Sequence, residues 1–253
     1  MEGPAPAGIM AYRSSRTYNI GFGSGLTPVV KNLLIINVSA FILSTLLGAT
    51  SYGGVIRLLM LTPYAVTHHL YLWQIVTFLF LHGGFFHILF NMFALWMFGC
   101  ELERTWGSRR FLTYYFLTGI GSALTIILVG PSSLVGTLGA SGAIYGILLA
   151  YGMLFPDRLI LLYFLIPIRA KYFVMIIGAI EFLSALSMPG SLVSHTAHLG
   201  GMVFGFLYLR GRPLYFNLRN EYYRRRRLRL QRAFSVYMQK RERDEQRRGP
   251  RIQ

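Results

Sequence analysis

Charged side chains are missing from four long stretches of this chain: between Lys31 and Arg57, from Leu58 to Cys100, from Phe111 to Pro156, and from Phe182 to Leu209. A helix that crosses a bilayer needs about 20 mostly apolar residues, because backbone polar groups in hydrocarbon must bond to one another. The runs 58–100 and 111–156 are each too long for one crossing. Pro131-Ser132-Ser133 and the stretch from Gly136 to Gly142 break the second run into two helices. The pattern predicts six helices, at about 29–48, 86–104, 110–130, 141–156, 170–187 and 196–211. The fifth is the least regular, since Glu181 lies inside it. The fold class is therefore all-α, a polytopic bundle of six transmembrane helices over residues 29–211. Residues 1–28, whose sequence is rich in Gly, Pro, Ser and Ala, read as a flexible cytoplasmic lead-in. Residues 212–253 read as a basic cytoplasmic tail. The connection 49–85 is long and apolar, with Leu58-Leu59-Met60-Leu61 and Leu70-Tyr71-Leu72-Trp73. It is expected to lie partly in the bilayer interface, where Trp and Tyr are favoured.

Composition agrees with the pattern. Of 253 residues, 54% are hydrophobic and 13% charged, against roughly 25% charged in ordinary soluble domains. A single cysteine, Cys100, excludes an intramolecular disulfide framework and a Cys-rich zinc site. The formal net charge of +16 suggests nucleic acid at first sight, but fifteen of the 25 Lys and Arg residues fall in 210–253. An oily body with a basic tail points to membranes, and the expected contact of the tail is with anionic lipid headgroups. Basic residues also set orientation. Arg13, Arg16 and Lys31 precede or open the first helix. Arg104, Arg109 and Arg110 lie at the second-to-third junction, and Arg158, Arg169 and Lys171 at the fourth-to-fifth. The alternate loops hold only Arg57, so both termini are expected in the cytoplasm. With no targeting peptide visible, a bacterial plasma membrane is the default expectation.

Polar groups inside such a chain are costly, and usually face a cavity or a partner. Three clusters stand out, all assigned by the topology to the non-cytoplasmic side. One runs from His82 to Asn91, with His87 and Asn91 four apart on one helix face. The second is Gly139-Ala140-Ser141-Gly142, with Tyr145 four residues after the serine. The third is His195-Thr196-Ala197-His198-Leu199-Gly200-Gly201. Singly, each has a plain structural reading: small residues pack, and Gly201 with Gly205 forms a GxxxG packing pattern. Together they supply the parts of acyl transfer. Serine becomes a nucleophile when a base takes its proton, and a neutral imidazole does so near pH 7. Backbone N–H groups and Asn or His side chains can stabilise the oxyanion. Ser141 at a helix N-terminus adds unpaired N–H groups and the positive end of the dipole. No intramembrane Asp is placed to orient His198, so a dyad is expected rather than a triad. Glu181 reads as an acid buried against a polar neighbour or close to an interface, and His195 as structural or water-facing.

On these residues the sequence resembles the rhomboid family of intramembrane serine proteases, over about residues 30–210. The resemblance rests on Trp73, the His82, His87 and Asn91 set, Glu103 with Gly107, Gly-Ala-Ser-Gly at 139–142 with Tyr145, and His198 followed by Gly201 and Gly205. It implies Ser141 as nucleophile and His198 as general base, with His87, Asn91 and the Ser141 N–H as oxyanion hole. It implies that Tyr145 stacks on the His198 ring and that His82 holds its loop by hydrogen bonds. Glu103 would tie loop and helix ends together on the cytoplasmic side, and Gly201 would let the fourth and sixth helices approach. The reaction implied is hydrolysis of a peptide bond in a single-span membrane substrate, with no metal or organic cofactor. In this family Arg often follows the lateral-loop tryptophan; here Gln74 does. Three rival readings make different demands on the sequence. A transporter would show an internal repeat, and none is found. A metalloprotease would want HExxH or an acidic partner for the histidines. A binding or chaperone relative without activity would typically lack the serine or histidine, and both are present.

Overall fold

The computed structural model describes residues 25–50, 53–162, 166–187 and 195–211. The basic tail and nearly all of the lead-in lie outside the described residues. The chain forms α1 (Pro28–Gly48), then three short helices, α2 (Gly54–Leu59), α3 (Pro63–His69) and α4 (Gln74–Thr77). Next comes one rod, Phe85–Trp106, made of α5 (Phe85–Ala94), a π-helical stretch (Leu95–Gly99) and α6 (Cys100–Trp106). Then follow α7 (Ser108–Val129), α8 (Ser141–Leu154), a hairpin of β1 (Leu159–Leu162) and β2 (Ile166–Arg169), α9 (Ala170–Ser187) and α10 over 195–211.

Each of the six segments predicted as helical is helical where it is described, and the ends that fall among the described residues lie within about two residues of the prediction. Among the described residues, four helices are long and apolar enough to cross a membrane: α1, the Phe85–Trp106 rod, α7 and α9. The helix α8 is shorter, at 14 residues, and α10 is described over 195–211. The outer surface is apolar. On α1, Ile35, Ile42, Leu43 and Leu46 are exposed, and on α9, Met175, Ile180, Leu183 and Leu186. An aqueous surface does not carry continuous patches of this kind, whereas a lipid-facing one does. The protein is a helical, integral membrane bundle.

The centre of the bundle is α7 packed on α8. Phe111, Tyr114 and Tyr115 are fully buried, and the Tyr114 hydroxyl donates to the Gly146 carbonyl at 2.8 Å. Small residues let the backbones close up, as expected where lipid offers no hydrophobic drive for association. A Cβ on Gly146 would lie 2.5 Å from Thr118 Cβ, and one on Gly121 would overlap Phe204.

Three features go beyond the sequence prediction. The connection 49–85 contains α2, α3 and α4. These are held by side chains rather than by length. Trp73 Nε1 and Gln74 Nε2 both donate to the Leu58 carbonyl, at 2.8 and 3.1 Å, and Gln74 Oε1 accepts the Thr62 N–H at 3.0 Å. The glutamine that replaces the family's arginine is thus buried and satisfied. Second, the junction between the fourth and fifth predicted helices forms an antiparallel hairpin with Leu161 opposite Pro167. In a two-stranded ribbon every strand is an edge, so proline's missing donor is tolerated. Third, the second helix widens into a π segment at Leu95–Gly99, which apolar periodicity does not reveal.

Two junctions place the site. Gly107, at φ +80°, reverses the chain between α6 and α7, a conformation that L side chains rarely adopt. At the other end, the 49–85 loop docks on the strand-like approach to α8. Leu61 and Thr137 exchange both backbone bonds, at 2.9 and 2.8 Å, and the Gly139 N–H donates to the Phe78 carbonyl at 2.9 Å. The residue two before Ser141 is therefore fixed from outside its own helix.

Candidate active site

Ser141 is the first residue of α8. Its Oγ lies 2.8 Å from Nε2 of His198 on α10, across 57 residues of chain. The two helices can come this close because Gly142 faces Gly201. A Cβ on Gly201 would overlap the Gly142 carbonyl oxygen and lie 2.7 Å from its carbon. The first N–H groups of α8, including that of Ser141, have no partner within the helix and point toward the same end.

Gly139 sits at φ +128°, and a Cβ there would meet the His87 ring at 2.8 Å. This glycine therefore serves both the turn and the ring packed on it. His87 and Asn91, on α5, line one open cavity of about 350 Å³ together with Ser141 and Tyr145. Phe86, Phe90 and Ile144 supply its apolar wall. The Asn91 amide donates to the His87 carbonyl at 2.8 Å in this resting arrangement. One N–H of that amide is left for another acceptor.

Tyr145 lies one turn after Ser141 and stacks on His198, with ring centroids 4.1 Å apart and planes within 6°. His82 is buried, but neither ring nitrogen makes a well-aligned hydrogen bond among the described residues. Its contact is edge-on with His87, at 5.1 Å. Burial first, and His87 second, hold its pKa down at about 4, so it is neutral at physiological pH. A backbone hydrogen-bond interaction with Phe80, within the same loop, acts in the opposite direction. Glu103 stands at the opposite end of the bundle, away from the cavity. Its carboxylate accepts from the Thr27 hydroxyl, from the Val29 and Val30 N–H groups at 3.0 Å each, and from Ser108 Oγ at 2.6 Å. These donors open α1 and α7, so one acid caps two helices from a third.

No Asp stands beside His198 among the described residues, but a glutamate does. Glu181 of α9 is buried, and its Oε2 lies 3.0 Å from His198 Nδ1 and 2.6 Å from His195 Nδ1. Its Oε1 accepts the Tyr145 hydroxyl. The His198 contact is short but not aligned along the ring N–H. Glu181 was visible as a lone acid in an apolar segment, and His195 and His198 share one helix face at i, i+3. What the sequence lacks is the rotation of α9 that turns the acid inward. These three residues are also the one cluster among the described residues whose ligand atoms lie within 4.8 Å of each other. One carboxylate and two imidazoles are a donor set a zinc ion would accept, although here the same atoms bond to one another.

A lipid-facing helical bundle that holds a half-buried serine–histidine pair at a helix N-terminus defines a class of integral membrane protein. Residues 69–212 match the Rhomboid domain model, and the chain belongs to the Rhomboid family. It is similar to "Rhomboid protein 1, mitochondrial" of Saccharomyces cerevisiae, at 34% identity over 139 residues, covering 51% of this chain and 38% of that protein. Two proteins of Bacillus subtilis are 35% identical to it. One is "Putative rhomboid protease YdcA", with 53% of this chain and 64% of the relative covered. The other is "Rhomboid protease GluP", with 53% and 25% covered. The chain spans less than two thirds of the length of each of these relatives.

Proposed function

We propose that this protein is an intramembrane serine endopeptidase that cleaves single-span membrane proteins through an acyl-enzyme. One observation carries the reading: the 2.8 Å contact of Ser141 Oγ with His198 Nε2 at the mouth of a cavity that His87 and Asn91 also line. Ser141 Oγ attacks the scissile carbonyl carbon while its proton passes to His198 Nε2. The carbonyl electron pair moves to oxygen, where the Ser141 N–H, the Asn91 amide and a His87 ring N–H receive it. The imidazolium then returns its proton to the leaving amine, and water repeats the sequence on the acyl-enzyme. Tyr145 keeps the imidazole plane fixed by stacking. No metal or organic cofactor enters these steps.

All six predicted helices would then span the bilayer, with the basic junctions and both termini in the cytoplasm and the site toward the other face. The substrate helix enters laterally, beside α9 or the 49–85 loop, and unwinds at the open apolar cavity. The basic tail contacts anionic headgroups.

Two measurements test this. A fluorophosphonate probe should label the native protein in detergent and fail to label Ser141→Ala; equal labelling of both removes Ser141 as nucleophile. Asn91→Ala should lower kcat on the order of 10²-fold, the usual effect of losing one oxyanion donor, with an unchanged melting midpoint. An unchanged rate removes Asn91 from the oxyanion hole.

A further inference from the structure

We propose that Glu181 is a positioning residue for His198, so that the site works as a Ser141–His198–Glu181 triad. The proposal rests on the reading of Ser141 and His198 as nucleophile and base.

The geometry is continuous from α8 through α10 to α9. Ser141 Oγ meets His198 Nε2 at 2.8 Å, and the other ring nitrogen lies 3.0 Å from Glu181 Oε2. An ionised carboxylate only accepts hydrogen bonds, and a neutral imidazole carries one N–H. Facing Glu181, the proton of His198 belongs on Nδ1, which leaves the Nε2 lone pair toward the Ser141 hydroxyl. The other tautomer would set a lone pair against the carboxylate and an N–H against Ser141, and could not accept the serine proton. The acid thus selects the form of the ring that acts as a base.

The acid is itself held. Tyr145 donates to Oε1, and His195 Nδ1 shares Oε2 at 2.6 Å. Donors therefore reach Glu181 from α8 and from two positions on α10. The other buried residues of α9 are Ala170 and Val174, both near its opposite end. Glu181 is the residue through which α9 reaches the site. The remaining described acids, Glu101, Glu103 and Asp157, sit at the basic junctions and are engaged there. When Ser141 gives up its proton, the ring becomes an imidazolium beside this carboxylate. The Nδ1–H is not aimed straight at Oε2 at rest, and catalytic hydrogen bonds commonly tighten only during reaction.

A purely structural role, in which Glu181 merely ties α9 to the bundle, predicts something different. Glutamine keeps the size and the acceptor for Tyr145, so a tether survives Glu181→Gln. A tautomer selector does not, because the amide N–H₂ can donate to Nδ1 and drive the proton to Nε2. The test uses the full chain in detergent, with ¹⁵N-labelled histidine and kinetics on a single-span reporter. His198 should be protonated on Nδ1 in the native protein and shift toward Nε2 in Glu181→Gln. The kcat of that variant should fall roughly 10²- to 10⁴-fold with KM nearly unchanged, and Glu181→Asp should recover part of the loss. A native His198 protonated on Nε2, or a Glu181→Gln variant with near-native kcat, overturns the proposal. If Glu181→Gln does not fold, the native tautomer decides alone. If the native chain neither labels nor cleaves, the protease reading fails, and the tautomer still decides the role of Glu181.

Discussion

Gly201→Ala will reduce cleavage at least 10²-fold in a protein that still inserts and stays helical. The added Cβ meets backbone, not the end of a flexible side chain: the Gly142 carbonyl oxygen is overlapped, and its carbon is 2.7 Å away. Neither atom can move without moving α8, so the helices must separate until ordinary contact distances return. His198 lies three residues before Gly201 on α10 and Ser141 one residue before Gly142 on α8. Separation at the glycines therefore lengthens the 2.8 Å Ser141–His198 contact directly. A misplacement of about 1 Å at reacting groups is enough for a 10²-fold loss. The check is kcat/KM on a reporter beside circular dichroism and gel filtration of the same preparation. A native rate in Gly201→Ala would mean that these helices do not meet through this pair during the reaction.

Glu103→Ala will act on stability instead. The substitution removes the acceptor of two hydroxyls and two helix-opening N–H groups at once. A donor left unmet inside the fold costs about 1–3 kcal/mol. Four are exposed to that fate, and water entering at the helix ends offsets part of the sum. In a chain of this size the loss should appear as a melting midpoint several degrees lower in detergent. Glu103→Gln, which keeps an acceptor but not the charge, should fall between. An unchanged midpoint in Glu103→Ala would show that the donors find other partners.

The helices were legible because charge in hydrocarbon is expensive, so gaps between charged residues mark the lengths of buried backbone. Ser141, His87, Asn91 and His198 stood out for the same reason: each is a polar group where an apolar one would be less costly. The short helices of the 49–85 loop were not legible. Each of α2, α3 and α4 is four to seven residues long, too short for a helical period to show. The Leu159–Leu162 run fits a strand or the end of a helix equally well, and only its pairing with Ile166–Arg169 decides. Glu181 reads from the sequence as an acid buried against a polar neighbour, and it is one, but the sequence does not name His198 as that neighbour. Residue spacing says which positions share a face of α9, but not which face turns toward His198. That depends on packing by Gly178 against Met202 and by Val174 against Gly152, contacts between segments far apart in sequence.

The most direct test is cleavage of a single-span reporter in liposomes by the native chain and by Ser141→Ala, with products read by mass spectrometry. The native protein should make one cut within or beside the reporter's membrane span, and the variant none at the same protein level. Equal cleavage by both proteins, or a native protein that binds the reporter without cutting it, would contradict Ser141 as the nucleophile of a protease.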